Sequence, residues 1–117
     1  MKKTHGITEN ILLEFTDASF TIEVLENDRP VLVDFWAAWC QPCHALTATI
    51  EALNERYGGL IKFGRLDVEQ NPATARAFEI RAIPAVLIFV DGRVVGNLVG
   101  VQPAQAYEKF LDLLVVR

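Results

Sequence analysis

Cysteine is scarce in this chain. There are two in 117 residues, Cys40 and Cys43, set three positions apart. That excludes a disulfide framework, and a chain of this length, 51% hydrophobic, can bury a core without one. The only methionine is Met1 and the only histidines are His5 and His44. No apolar run approaches the ~18 residues that a membrane-spanning helix requires. The start, MKKTHGITEN, has two lysines but no apolar segment behind them, so no signal peptide is expected. The expected compartment is therefore the cytoplasm, where structural disulfides are uncommon. No block of like charges stands out, and the net charge of −4 argues against a nucleic-acid surface. Internal repeats, low-complexity tracts and linkers are also missing. A single domain over 1–117 is expected, with residues 1–10 as a flexible tail.

Hydrophobic periodicity places the elements. Residues 11–16, ILLEFT, suit a short strand. Asp17 can cap a helix running to about Glu26, with Phe20, Val24 and Leu25 inward, before Asn27-Asp28-Arg29-Pro30 breaks it. In PVLVDFWAAW, Val31, Val33 and Phe35 share one strand face and Leu32, Asp34 and Trp36 the other. Both faces are largely apolar, as in a central strand covered on either side. From Pro42 to Tyr57, the residues Leu46, Ile50, Leu53 and Tyr57 recur at helical spacing, and Gly58-Gly59 end the run. A strand over 60–66 and a short crossover, DVEQNPATARAF, follow. Then AVLIFV and RVVGNLV flank Asp91-Gly92, a two-residue hairpin signal. From Pro103 a last helix carries Tyr107, Phe110, Leu111, Leu114 and Val115 on one stripe. The order β-α-β-α-β-α-β-β-α implies a mixed α/β sheet with helices on both faces.

Chemistry concentrates in WCQPCH, residues 39–44. C-x-x-C suits dithiol–disulfide exchange, and C-x-x-C-H also occurs where haem is attached covalently. The haem alternative requires export and a second axial ligand, for which only Met1 and His5 are at hand. A zinc site would need His5, in the polar N-terminal segment, as fourth ligand. Two buried cysteines acting as small hydrophobes fit poorly beside Trp39 and Pro42. The pair instead sits where the central strand gives way to a helix. Unpaired N–H groups and partial positive charge at a helix N-terminus stabilise a thiolate below its free pKa of ~8.5. Cys40, at the junction, is expected to be the exposed nucleophile, and Cys43, one turn into the helix, to be shielded. Pro42 suits the first turn.

VDFWAAWCQPC, DVEQNP, IRAIPAVLIFVDG and the LVG before the last helix, in this order and spacing, make the chain resemble the thioredoxin family from about Phe15 to Leu114. The resemblance implies the thioredoxin fold, a central mixed five-stranded sheet flanked by helices, and an enzyme that reduces protein disulfides. It implies that Cys40 attacks a substrate disulfide and that Cys43 resolves the mixed disulfide, leaving Cys40–Cys43 oxidised and requiring no other cofactor or metal. Trp39, Gln41 and Pro42 would meet the substrate. Pro84 matches the family's cis-proline, the backbone of Ile83 would align the substrate chain as an added strand, and Val99-Gly100-Val101 would complete an apolar groove. Disulfide-containing proteins are the implied substrates and a thioredoxin reductase the implied electron donor, with the chain acting as a monomer away from membranes and nucleic acid.

Asp34 is costly to bury, because desolvation disfavours its charged form. Either backbone donors satisfy it at a strand end, or it is a raised-pKa base for Cys43, the role of its family counterpart. Arg65 shares a strand face with Ile61 and Phe63, where the family commonly has lysine. It either pairs with Asp34 or carries its charge to solvent. The chain also departs from the family's WCGPC hallmark. Gln41 replaces the glycine, which leaves the redox potential open across the ~150 mV that separates thioredoxin-like reductants from oxidants. His44 replaces a common lysine, and it either tunes the Cys40 thiolate or stands solvated on the helix surface. Ala48 replaces a helix-kinking proline, so a straighter helix is expected, and Ala82 and Ala85 alter the groove rim. The rival functions are a binding or assembly module that uses the groove with incidental thiols, and an oxidant or isomerase.

Overall fold

A computed structural model describes residues 12–115. Its elements are β1 (Leu13–Phe15), α1 (Thr21–Leu25), β2 (Val31–Trp36), α2 (Gln41–Tyr57), β3 (Lys62–Asp67), α3 (Pro72–Ala77), β4 (Ala85–Val90), β5 (Arg93–Val99) and α4 (Ala104–Val115). They form a mixed five-stranded sheet in the order β1-β3-β2-β4-β5. β3 runs parallel to both β1 and β2, and β4 runs antiparallel to β2 and β5. The expected tail, His5 and the start of the first strand at Ile11 lie outside the described residues.

β2 is the central strand because both of its faces can be buried. Leu32 packs with Leu46, Ile50 and Leu53 of α2, Val86 and Ile88 of β4, and Tyr107 and Leu111 of α4. Val31, Val33 and Phe35 point the other way, against Phe20 and Val24 near α1 and against Leu87 and Phe89 of β4. At the hairpin, Asp91 and Gly92 have φ of 52° and 79°. Positive φ at both central residues matches the turn's twist to that of the strands, which Asp-Gly permits at low cost.

The segment after β1 differs from expectation. Only Thr21–Leu25 is helical, wound widely enough that the Glu26 N–H reaches the Thr21 carbonyl. Asp17 does not cap this helix. Its carboxylate accepts from the Ala73 N–H (3.2 Å), the Thr74 N–H (2.8 Å) and the Thr74 hydroxyl (2.6 Å), while the Asp17 N–H donates to Asn71 Oδ1 (2.9 Å). Asp17 therefore caps α3, whose own N-cap residue Asn71 makes no side-chain cap bond. The Thr74 hydroxyl leads the contacts that lower the Asp17 pKa below 3.8, against the opposing effect of burial. A depressed carboxylate stabilises the fold above its unfolded pKa, and that contribution is lost as the pH falls through the folded value. Asp17→Ala is expected to speed hydrogen exchange at the Thr74 amide at pH 7. A Thr74 amide as protected in the variant as in the parent would refute the cap.

Candidate active site

β2 ends at Trp36, and four residues later the chain enters α2. Cys40 is the N-cap, in extended conformation (φ −90°, ψ 103°), and its Sγ accepts the Cys43 N–H at 3.2 Å. Pro42 lies in the first turn, where its missing donor costs nothing. Cys40 and Cys43 are joined in a disulfide, with Cα atoms 5.3 Å apart. The same amide and the positive end of a 17-residue helix face the Cys40 sulfur once the bond is reduced, the setting that favours a thiolate. The two sulfurs differ less in access than the sequence suggests. Cys40 is 3% exposed and Cys43 fully buried, because Ala37, Ile83, Val68 and Trp36 pack around them. Cys40 is thus the more accessible of the two cysteines.

Exposed apolar side chains lie at this end of the sheet. Trp39, Val99 and Val101 are each at least half exposed. The Trp39 indole N–H donates to Glu69 Oε2 at 2.8 Å, which fixes the ring beside the disulfide. Glu69 sits in the DVEQNP stretch, but no pattern in the sequence marks it as a partner of Trp39. Opposite, the Ile83–Pro84 peptide bond is cis, and Ile83 packs on the disulfide cluster. The N–H and C=O of Ile83 take part in none of the described backbone hydrogen bonds, so both are free to pair with an extended chain. Gly100, at φ 83°, turns the chain after β5 so that its N–H donates to the Pro84 carbonyl at 2.8 Å. The structure thereby brings Trp39, Cys40, Ile83, Pro84, Val99 and Gly100 to one end of the sheet. Gln41 and Pro42 are exposed at the start of α2, and Ala82 is exposed before Ile83. α2 runs unbroken through Ala48.

Asp34 lies deeper, fully buried, and neither carboxylate oxygen has a hydrogen-bond partner. Backbone donors therefore do not satisfy it. Desolvation pushes its pKa from 3.8 up to about 7, opposed by the Arg65 charge and reinforced by Glu14. Arg65 sits opposite Asp34 in the β2–β3 register, but its side chain turns to the surface and not to Asp34. Its Nε binds Glu14 Oε2 at 2.6 Å and its guanidinium lies 4.1 Å from the Trp36 ring centroid. An acceptor on the neighbouring strand and an aromatic face outcompete a carboxylate whose charged form desolvation disfavours. His44 is exposed, with Nε2 2.7 Å from the Ala38 carbonyl. A carbonyl only accepts, so Nε2 carries the proton and the ring clamps the loop before Cys40. Among the described residues no group of three or more His, Cys, Asp or Glu is placed to hold a metal.

The family model for thioredoxin matches residues 11–113. Thioredoxin C-2 of Corynebacterium nephridii is 43% identical over 101 residues, covering 86% of this chain and 94% of that protein. A thioredoxin of Buchnera aphidicola is 44% identical over 103 residues (88% and 95%). Thioredoxin 2 of Chlorobaculum tepidum is 46% identical over 99 residues (85% and 91%).

Proposed function

The chain belongs to the thioredoxin family and is a thiol–disulfide oxidoreductase that reduces protein disulfides, and we propose that Cys40 and Cys43 carry out the exchange in that order with Asp34 as their base. The observation that carries the proposal is the disulfide between an N-cap cysteine and a fully buried one, at an end of the sheet with exposed apolar side chains and cis-Pro84.

In the reduced state the Cys40 thiolate attacks one sulfur of a substrate disulfide R–S–S–R′. A Cys40–S–S–R bond forms, and R′–S⁻ leaves and takes a proton from solvent. The Cys43 thiol passes its proton to the Asp34 carboxylate and its sulfur attacks the Cys40 sulfur. The Cys40–Cys43 bond forms, the bond to R breaks, and R–S⁻ recovers the proton from Asp34. Two electrons move from the dithiol to the substrate, with one proton from Cys43 by way of Asp34 and one from solvent, and with no further cofactor. An Asp34 pKa of about 7 suits this exchange, because both charge states are populated near neutral pH. The exposed Trp39, Val99 and Val101 favour an apolar segment around the substrate disulfide, and the free backbone groups of Ile83 favour an extended one.

The finer assignments belong to the same proposal. The chain works as one domain and a monomer in the cytoplasm, recharged by a thioredoxin reductase, and acts on protein disulfides rather than nucleic acid or lipid. No helix among the described residues is long and apolar enough to cross a membrane. Equilibration in buffers of defined potential, followed by alkylation and mass measurement, tests the chemistry. A reversible two-electron transition near −270 mV, the potential typical of thioredoxins, is expected. A transition near −120 mV would make the chain an oxidant, and the absence of any transition would leave only the groove-binding function.

A further inference from the structure

Among the described residues, four side-chain polar atoms are buried without a hydrogen-bond partner: the two Asp34 oxygens, Trp36 Nε1 and the Tyr107 hydroxyl. Buried polar groups nearly always find a partner, protein or water, so orphans on one face of one sheet point to each other. Tyr107 is fully buried, and its ring packs in the cluster that holds Leu32 and Val86. Asp34 is two residues on from Leu32, hence on the same face of β2, and stands directly across from Val86. The phenol and the carboxylate are also within electrostatic reach, since Asp34 is among the groups that raise the Tyr107 pKa. The Gln102 amide opposes that rise without completing a hydrogen bond to the hydroxyl.

We propose that Tyr107 is a positioning residue for Asp34, its hydroxyl donating to the buried carboxylate across at most one bound water and thereby holding it in the ionised form that accepts the Cys43 proton. This rests on the role of Asp34 given above. A phenol suits the position because it supplies one donor on an otherwise apolar ring, and it stays protonated wherever Asp34 titrates. Charged groups around Asp34 are few. β3 brings Arg65 and β1 brings Glu14, which hold each other; α4 brings Tyr107; β4 pairs it with apolar Val86; and the exchange proposed above adds the buried Cys43 thiol of α2 once reduced.

Tyr107→Phe removes the donor and keeps the ring. Losing a hydrogen bond to the charged form is expected to raise the Asp34 midpoint by about one pH unit. The midpoint is read from the carboxyl carbon by NMR titration of the whole chain. Resolution of a preformed mixed disulfide is then expected to slow about fivefold at pH 7 and to be unchanged above about pH 9, where Asp34 ionises in both proteins. In an Asp34→Asn background the same change should have no effect on the rate. An unmoved or lowered midpoint overturns the proposal, as does equal slowing in the Asn background. If instead Asp34→Asn alone leaves resolution unaffected, the catalytic role of Asp34 fails, while the midpoint still decides whether Tyr107 holds it.

Discussion

Cys43→Ser is expected to leave the protein covalently attached to its substrate. Cys40 can still attack, because its sulfur keeps the helix N-terminus and the residue-43 amide that stabilise its thiolate. A hydroxyl at position 43 cannot displace the substrate thiol, so the Cys40–S–S–R adduct accumulates and is released only by added reductant. Cys40→Ser should instead form no adduct and lose turnover by roughly 10³-fold or more, since an alcohol stays protonated where a thiol ionises. The double variant should be no worse than Cys40→Ser, because the two sulfurs act as one unit. Intact mass after incubation with a disulfide-bonded protein reads all three. An adduct on Cys43 in the Cys40→Ser chain would reverse the assigned order, which rests on the slight exposure of Cys40 against the complete burial of Cys43.

The second large effect is on stability. Asp34 has a pKa near 3.8 in the unfolded chain and about 7 in the folded one. Between those values the folded chain holds a proton that the unfolded chain has released, so stability falls as the pH rises. The loss is complete above the folded pKa and amounts to roughly 4 kcal/mol for a shift of this size. Asp34→Asn cannot ionise and should escape the loss. Urea unfolding of the two oxidised proteins at pH 4.5, 6 and 8 should show the variant gaining steadily on the parent. The corresponding change in Tm is of the order of 10 °C. Parallel stability curves would mean that Asp34 ionises normally, and its service as a base near pH 7 would fall with them. Asp17 acts in the opposite sense and in a lower window, below its ordinary carboxylate value, so the two contributions separate on the pH axis.

The second result turns on Asp34, which the sequence marked by contrast as a lone carboxylate inside VLVDFW. The neighbours that determine what Asp34 does were not marked in the same way. Tyr107 was legible as a member of an apolar helical stripe, and nothing in that spacing shows that its hydroxyl would be left without a partner on the face that carries Asp34. Arg65 had two destinations in the sequence, Asp34 or the surface, and took the second. Glu14 belongs to β1, and it meets Arg65 only because β1 pairs in register with β3. Asp17 looked like the cap of the helix that follows it and instead caps one more than 50 positions away.

The sequence by itself determined what local physics decides. It specified the two-faced strand Val31–Trp36, the apolar stripe of α2, the Asp91-Gly92 turn, and a cysteine pair at a strand–helix junction where a helix terminus can activate a thiol. Each rests on side-chain alternation or backbone preference within a few residues, which any stretch of chain carries with it. Only the tertiary structure decided how deep Cys40 sits, where Arg65 and Asp17 find their partners, that Trp39 is held by Glu69, and that Asp34 is buried unpaired on the strand face that packs into the Tyr107 cluster. Those outcomes are competitions between groups far apart in sequence for the same buried hydrogen bonds and charges, and the winner is set by which strands and helices the fold brings together.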